Sequence, residues 1–276
     1  MENKSLVIMA GGASSRMKKS LEELSDHKKV PGDIYHKSLI PVGKNGTPFL
    51  YYLVKNAWDA GYTHLYLITG PENQPFRNFV RDNMPFGFKT FFAIQHIPAG
   101  RKKPLGTADA LQQCMDQFPE LNETLFTVCN GDNLYSVRAL HDLRKDRKTP
   151  NALISYASSG FDYKDERISK FAVMEVTDDG FLKRIIEKPE KEQLSNYKDS
   201  LGEIRVSMNI FSFYGKDIYP FIRDCPLDPV RDEKELPKAV ANMVHELPDS
   251  VLCIPRSEPI PDLTSAADIP ILKKME

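Results

Sequence analysis

The strongest constraint on the fold is an apolar segment that stops abruptly at two glycines: residues 6–16 read LVIMAGGASSR. Unbroken aliphatic residues favour a strand that is covered on both faces of its sheet. Gly11 and Gly12 permit a sharp turn and bring backbone N–H groups close to an anion. The Arg16 guanidinium is suited to phosphate oxygens. A glycine pair after a strand also occurs as ordinary turn chemistry, so this segment alone leaves both interpretations open.

The glycine pattern excludes two common nucleotide-binding motifs. Residues 11–16 match neither the G-x-x-x-x-G-K-[ST] motif of P-loop proteins nor the G-x-G-x-x-G motif of dinucleotide-binding proteins. A P-loop kinase and a Rossmann dehydrogenase therefore both lack their signatures here.

Strand and helix signals alternate along the first part of the chain. Apolar runs near 64–68, 90–94 and 125–133 predict strands, and helical periodicity predicts helices from 49, near 76–81 and from 107. Thr47 and Pro48 are expected to begin the first of these helices, with the threonine hydroxyl as the cap. This alternation predicts an α/β fold: a mostly parallel sheet between two layers of helices, in a Rossmann-like three-layer sandwich.

The second part of the chain has a different pattern. Residues 171–176 and 181–186 flank an Asp179-Gly180 turn and predict a β-hairpin. A strand at 205–213 and helices near 218–222 and 236–243 follow. We expect one domain, residues 1–276, with a soft boundary between two halves at about residue 158.

The composition favours a soluble globular protein over a nucleic-acid or membrane protein. Hydrophobic residues make up 41%, charged residues 27%, and the net charge is −1, so no general basic field attracts nucleic acid or anionic lipid. We see no secretory signal and no apolar run that could span a bilayer. The four cysteines include no C-x-x-C pair and are expected to be reduced core thiols. We therefore expect a cytoplasmic protein without nucleic-acid or membrane partners.

The start of the chain resembles the N-terminal signature of the nucleotidyltransferase family that includes the sugar-1-phosphate nucleotidylyltransferases, which have a GT-A-like fold. Further segments resemble later motifs of that family, in the family's order: KSLIPV at 37–42, LGTA at 105–108, GDN at 131–133, EKP at 187–189, VSMNIF at 206–211 and PDLTSAAD at 261–268. The gap before Lys37 is longer than usual, Asn209 replaces a usual glycine, and Thr264 replaces another.

The resemblance implies a role for each matching residue. It implies nucleotide binding by Ala10, Gly11, Gly12, Gly106 and Thr107. It implies catalysis by Arg16, Lys37 and Asp132, acceptor binding by Glu187, Lys188 and Asn209, and an Mg²⁺ site at Asp132 and Asp262. From the residues alone, Asp132 is also compatible with an Asx turn before a helix that Ser136 caps, and the Glu187-Lys188 pair with a solvated strand end. Thr264 is about equally compatible with a helix cap.

The implied reaction converts an NTP and a sugar 1-phosphate into an NDP-sugar and pyrophosphate. The implied nucleotide-binding half is 1–158 and the implied acceptor-binding half is 159–276. Residues 18–35 are interpreted either as a lid over the NTP or as a solvated loop. Two other functions stay open: a cytidylyltransferase for phosphocholine or another phosphorylated alcohol, with a cage of Tyr156, Phe161 and Tyr163, and a non-catalytic regulatory relative.

Overall fold

The computed structural model describes residues 2–11, 36–43, 46–161, 165–263 and 268–269. These ranges contain nine strands: β1 (Ser5–Met9), β2 (His64–Thr69), β3 (Lys89–Ile94), β4 (Leu125–Asn130), β5 (Asn151–Ala157), β6 (Ala172–Val176), β7 (Leu182–Ile186), β8 (Arg205–Tyr214) and β9 (Val251–Arg256). They also contain seven α-helices: α1 (Phe49–Asp59), α2 (Gln74–Asn83), α3 (Thr107–Gln117), α4 (Val137–Arg144), α5 (Asp165–Ile168), α6 (Gly215–Arg223) and α7 (Leu236–Glu246).

All nine strands belong to one sheet, with the order β3-β2-β1-β4-β8-β5-β9 and with the β6–β7 hairpin attached to β8. β1 is parallel to β2 and β4, whereas β8 is antiparallel to both β4 and β5. The sheet is therefore mixed and mostly parallel, which confirms the expected fold class. Strands from both sides of residue 158 alternate within this one sheet.

Helices cover both faces of the sheet. One apolar core contains Leu53 of α1, Phe76 of α2 and Leu140 of α4. The other contains residues of α3, α6 and α7. Along β1, Leu6 and Ile8 point into the first core and Val7 into the second, as the two-residue repeat of a strand requires. This burial on both faces explains why the strand reads as a continuous apolar run.

Two local predictions need correction or addition. Thr47 does not cap α1: Pro48 occupies the N-cap position, with no side-chain cap. The Thr47 carbonyl instead accepts the N–H groups of Val42 and Gly43, which joins these residues before the helix begins. β9 was not predicted, because its sequence includes a proline and lacks a regular alternation. In contrast, the expected Ser136 cap of α4 is confirmed by a 3.0 Å bond from the Ala139 N–H.

Candidate active site

The carboxyl ends of β1 and β4 lie side by side. Met9 is paired with Asn130, and the Gly131 N–H donates to the Met9 carbonyl at 3.0 Å. A Cβ added to Gly11 would lie 3.2 Å from backbone atoms of Thr69, at the end of β2. A side chain at position 11 would therefore crowd the neighbouring chain, which would have to shift by a few tenths of an ångström. Ligands of open α/β sheets bind beyond such strand ends.

Lys37 and Asp132 meet at this edge. The Lys37 Nζ lies 2.5 Å from Asp132 Oδ2, although 95 positions separate the two residues in sequence. The side chains are 16% and 30% exposed, respectively. The pair therefore remains within reach of solvent and of a bound ligand, and it brings together two of the three residues expected to act in catalysis.

Asp262 lies next to Asp132 through the backbone. Asn133 forms an antiparallel bridge with Asp262, and the Leu263 N–H donates to the Asp132 carbonyl at 2.9 Å. The structure thus brings together the backbones of the two aspartates proposed for the metal, which are 130 positions apart in sequence.

Arg167 is a charged neighbour of this site that the sequence did not reveal. Its guanidinium lies 4.0 Å from Asp262 and 3.6 Å from Asp268. Its sequence context, a short charged run, contains no motif that could have identified it.

The donor atoms of this site fit Mg²⁺. The described residues contain no cluster of three or more His, Cys, Asp or Glu side chains that could hold a metal by themselves. Magnesium is usually held by one or two carboxylates together with phosphate oxygens and water. Asp132 and Asp262 would supply that number of hard oxygen ligands, and their role as metal ligands stays a proposal.

Gly106 and Thr107 begin α3 and contact the segment that precedes α7. Gly106 has a φ of 113°, and an added Cβ would collide with the Lys234 carbonyl. The Thr107 hydroxyl accepts the Leu236 N–H at 2.8 Å. Both residue types therefore have a structural reason to be present, and their contact with a nucleotide stays a proposal.

Asn209 lies in a gap along one edge of β8. On this edge, residues 210–214 face β4 and residues 205–207 face β6, so the described pairings leave 208 and 209 between the two strands. Asn209 has a φ of 53°, a left-handed conformation that glycine and asparagine tolerate best. Its Oδ1 is buried and has no hydrogen-bond partner in the described part of the chain.

Tyr135 fixes this bend of β8, a role that the sequence did not reveal. The side chain is fully buried, and its hydroxyl donates to the Met208 carbonyl at 2.6 Å. Tyr135 lies two positions after the Gly-Asp-Asn motif. The segment that contains Asp132 therefore also binds the part of β8 that contains Asn209.

Glu187 follows β7 and lines a pocket of about 310 Å³ between the 226–235 segment and α7. Neither Lys37 nor Asp132 lines that pocket. The Glu187 residue keeps substantial exposure, yet the pocket walls hinder hydration of its carboxyl group. This desolvation, and next the Glu235 carboxylate, raises the pKa of Glu187 to about 7. Lys188 adopts a φ of 45°.

Several predicted positions lie outside the described residues. These are Gly12, Arg16, the segment 18–35, Tyr163 and Thr264.

Comparison with known proteins identifies the family. A family model described as nucleotidyl transferase matches residues 5–246. The chain belongs to this family. The match spans most of the chain and includes every motif except the last, and it confirms the resemblance seen in the sequence.

Two curated relatives support the membership. The chain is 32% identical over 108 residues to the chloroplastic/amyloplastic glucose-1-phosphate adenylyltransferase small subunit of Triticum aestivum, covering 39% of this chain and 22% of the relative. It is 23% identical over 188 residues to the bifunctional protein GlmU of Geotalea uraniireducens (strain Rf4), covering 68% of this chain and 35% of the relative. The matched segments thus span about a fifth and a third of these relatives' lengths.

Solved structures of low identity share the fold. A UDP-glucose pyrophosphorylase complexed with UDP-glucose superposes with a TM-score of 0.71 at 15% identity, covering 99% of this chain and 98% of that one. HddC from Yersinia pseudotuberculosis, complexed with GMP-PN, gives a TM-score of 0.65 at 17% identity, covering 100% and 99%. Among the described residues of this protein, no helix has the length and apolarity needed to cross a membrane.

The predicted aromatic cage for a choline group is not available. Tyr156 is fully buried and Phe161 is 6% exposed, both within the core beneath the sheet. Their ring centroids lie 6.1 Å apart, and both rings pack among other apolar side chains. This burial removes the observation that had favoured a phosphocholine acceptor.

Proposed function

We propose that this protein transfers a nucleotidyl group from an NTP to a sugar 1-phosphate, with release of pyrophosphate and with Mg²⁺ as the cofactor. Its family carries out nucleotidyl transfer. The names of its relatives include a glucose-1-phosphate adenylyltransferase and a UDP-glucose pyrophosphorylase, which support a sugar 1-phosphate as the acceptor class.

One observation carries the proposal: the Lys37–Asp132 pair lies beside Asp262 at the carboxyl ends of β1 and β4. A cation and a carboxylate from distant segments meet there, and backbone contacts hold a second aspartate alongside. The pair is partly exposed, so its charges are available to a phosphorylated ligand.

The reaction needs alignment and charge neutralisation more than proton transfer. An oxygen of the acceptor phosphate, already anionic at neutral pH, forms a bond to the α-phosphorus of the NTP. The bond between that phosphorus and the bridging oxygen breaks, and the electron pair leaves on pyrophosphate. Since the nucleophile carries a charge already, no general base is required, and positioning and electrostatic stabilisation supply the rate enhancement.

Each charged residue has a distinct role in this proposal. Asp132 and Asp262 would hold Mg²⁺, which supplies positive charge to the phosphate oxygens. Lys37 binds phosphate oxygens near the reacting phosphorus, and Arg16 stabilises the pyrophosphate as it leaves. Lys188 binds the acceptor phosphate.

The remaining contacts divide between the two halves of the chain. We assign the nucleotide to residues 1–158, through Ala10, Gly11, Gly12, Gly106 and Thr107. We assign the sugar to residues 159–276, through Glu187 and Asn209. The four cysteines are free and buried, which supports a reducing compartment and therefore a cytoplasmic location.

A substrate panel tests the proposal. The four common NTPs are each incubated with a set of sugar 1-phosphates and Mg²⁺, and pyrophosphate release is measured while ³¹P NMR identifies the second product. We expect at least one pair to give an NDP-sugar, and EDTA to stop the reaction until Mg²⁺ is restored. Product formation from phosphocholine but from no sugar 1-phosphate would contradict the proposed acceptor class.

A further inference from the structure

Arg167, on the short helix α5, lies beside two carboxylates of the segment that follows β9. Its guanidinium Nη2 lies 4.0 Å from Asp262 Oδ2 and 3.6 Å from Asp268 Oδ1. The side chains of Asp262 and Asp268 are 12% and 11% exposed, whereas that of Arg167 is 35% exposed. Carboxylates that are mostly buried need a compensating charge or hydrogen bonds. Arg167 therefore supplies positive charge next to an aspartate that is proposed to bind the metal.

Buried apolar residues fix the position of this ion pair. Ile168 of α5 and Ile260 are 2% and 1% exposed and belong to the same apolar core. The Arg167 carbonyl accepts the Lys170 N–H at 3.1 Å. The backbone on both sides of the pair is thus anchored, so the Arg167 side chain starts from a fixed point close to Asp262.

The charges of the side chains paired around the proposed metal site nearly cancel. Lys37 is paired with Asp132. Arg167 lies near both Asp262 and Asp268. Two positive and three negative side chains give these five groups a net charge of −1. Without Arg167 one positive and three negative side chains would give −2, and a divalent cation is attracted more strongly by the larger negative charge.

We propose that Arg167 competes with the divalent cation for Asp262 and thereby weakens metal binding by the nucleotide-free protein. The guanidinium and the cation are attracted to the same carboxylate and repel each other. Arg167 therefore sets the affinity of the site and takes part in no covalent step. The inference rests on the proposed function in one respect, which is the assignment of Asp262 to the metal.

A Mn²⁺ titration of the full chain without nucleotide tests this proposal, with electron paramagnetic resonance measuring the free Mn²⁺. Arg167→Gln should bind Mn²⁺ about tenfold more tightly than wild type. Arg167→Lys keeps the charge and should bind Mn²⁺ much as wild type does. Arg184→Gln is the matched control, because it removes an exposed arginine that is paired with Glu175 on the β6–β7 hairpin, and it should leave the Kd unchanged.

A second readout is needed because Arg167→Gln removes positive charge from two mostly buried carboxylates and should be less stable. A cation that binds only the folded protein raises its melting temperature in proportion to the logarithm of the occupancy gained. Mn²⁺ should therefore raise the melting temperature of Arg167→Gln by more than it raises that of wild type, even if the variant starts from a lower value.

A double variant shows whether Arg167 acts through Asp262. Asp262→Asn should weaken Mn²⁺ binding, and adding Arg167→Gln to it should tighten binding by less than about threefold. The proposal is overturned if Arg167→Gln binds Mn²⁺ no more tightly than wild type, if Arg184→Gln or Arg167→Lys tightens binding equally, or if the gain is undiminished in the Asp262→Asn background. These results would leave the proposed reaction standing. Unchanged Mn²⁺ binding by Asp262→Asn would overturn both this proposal and the assignment of Asp262 to the metal.

Discussion

Strand β4 carries polar side chains with opposite properties toward its two ends. Near its amino end, Thr127 is fully buried and bonded to neutral partners: Asn3 Nδ2 at 3.0 Å and the Tyr62 hydroxyl at 2.7 Å. Just beyond its carboxyl end, Asp132 keeps 30% of its side chain exposed and is paired with Lys37. Burial raises the pKa of Tyr62 well above its ordinary value, so the first group stays neutral throughout the physiological range.

This difference predicts that residues near the amino end of β4 contribute to stability and that residues just beyond its carboxyl end contribute to function. Buried neutral groups stabilise the fold when their hydrogen bonds are complete, and they are expensive to leave unpaired. A solvent-exposed ion pair contributes about 0–1 kcal/mol to stability. The Lys37–Asp132 pair is less exposed than that, with 16% and 30% of its side chains accessible, but its charges remain within reach of a ligand. Substitutions toward the amino end of β4 should therefore affect unfolding, and those at the carboxyl end should affect turnover.

The largest effect is expected at Lys37. Lys37→Met should lower kcat/KM by about 100- to 1000-fold, the range seen when one group that stabilises transition-state charge is removed. Its melting temperature should fall by about 2–8 °C, because the variant leaves the mostly buried Asp132 carboxylate without its partner. Lys55→Met is the matched control, since Lys55 forms a similar 2.6 Å pair with Asp59 on the exposed face of α1. If Lys37→Met and Lys55→Met were equally active, Lys37 would have no role in the candidate active site.

Arg16 and Lys188 should differ in the kinetic constant that they change. Arg16→Ala should lower kcat by about 100-fold, because its charge is needed as pyrophosphate leaves. Lys188→Ala should mainly raise the KM for the sugar 1-phosphate, by about tenfold. Steady-state kinetics with each substrate varied separate these outcomes. A Lys188→Ala enzyme whose KM rises only for the NTP would contradict the division into nucleotide and acceptor halves.

The opposite kind of effect is expected near the amino end of β4. Thr127→Val keeps the shape but removes the acceptor for Asn3 and the partner of Tyr62, so it should destabilise the fold by about 1–3 kcal/mol. Denaturant unfolding measures this loss, and kcat should stay at the wild-type value. Thr63→Val, which removes an exposed hydroxyl, should change stability by less than about 0.5 kcal/mol. Similar stabilities of Thr127→Val and Thr63→Val would contradict the assignment of a stabilising role to the amino end of β4.

A smaller effect is expected at Asn209. Asn209→Gly suits the left-handed φ of 53° and should fold as well as wild type, whereas Asn209→Ala should lose about 1 kcal/mol. If the buried Oδ1 contacts the sugar, both variants should raise the KM for the sugar 1-phosphate equally. If the KM rises only in Asn209→Ala, the variant that loses stability, then the role of Asn209 is purely structural.

The smallest effect concerns pH. Glu187 has a pKa near 7 in the folded protein and about 4.3 when unfolded, so between these values the unfolded state releases its proton first. Stability should therefore fall as pH rises from about 4.3 to 7 and change little from this group above that range. Glu187→Gln should flatten this slope in melting curves recorded from pH 5 to 8. A slope identical to wild type would show that Glu187 titrates normally.

Local pattern predicted much of the fold, because most elements are encoded by neighbouring residues. The continuous apolar run at β1, the Asp-Gly turn between β6 and β7, and the Ser136 cap each depend on short segments. β9 was missed because Pro255 and an irregular pattern conceal it, and the cap at Thr47 was wrong because the preceding turn uses its carbonyl.

The candidate site was predictable in its residues but not in its contacts. The motifs singled out Lys37, Asp132 and Asp262, yet the pairing of groups 95 positions apart depends on the sheet order. Arg167 and the hydroxyl of Tyr135 contain no local signal, since their importance arises from partners that are distant in sequence. The Asn3 network is equally invisible, because it joins four separate segments.

The most direct test is pyrophosphate release by Asp132→Asn, measured with the best NTP and sugar 1-phosphate pair at increasing Mg²⁺. The amide keeps the shape of the side chain and removes the charge that would hold the cation. We predict a folded protein, with a melting temperature within about 4 °C of wild type, whose turnover falls by at least about 100-fold at every Mg²⁺ concentration. Normal Mg²⁺-dependent pyrophosphate release by folded Asp132→Asn would contradict the assignment of this strand end as the reaction site.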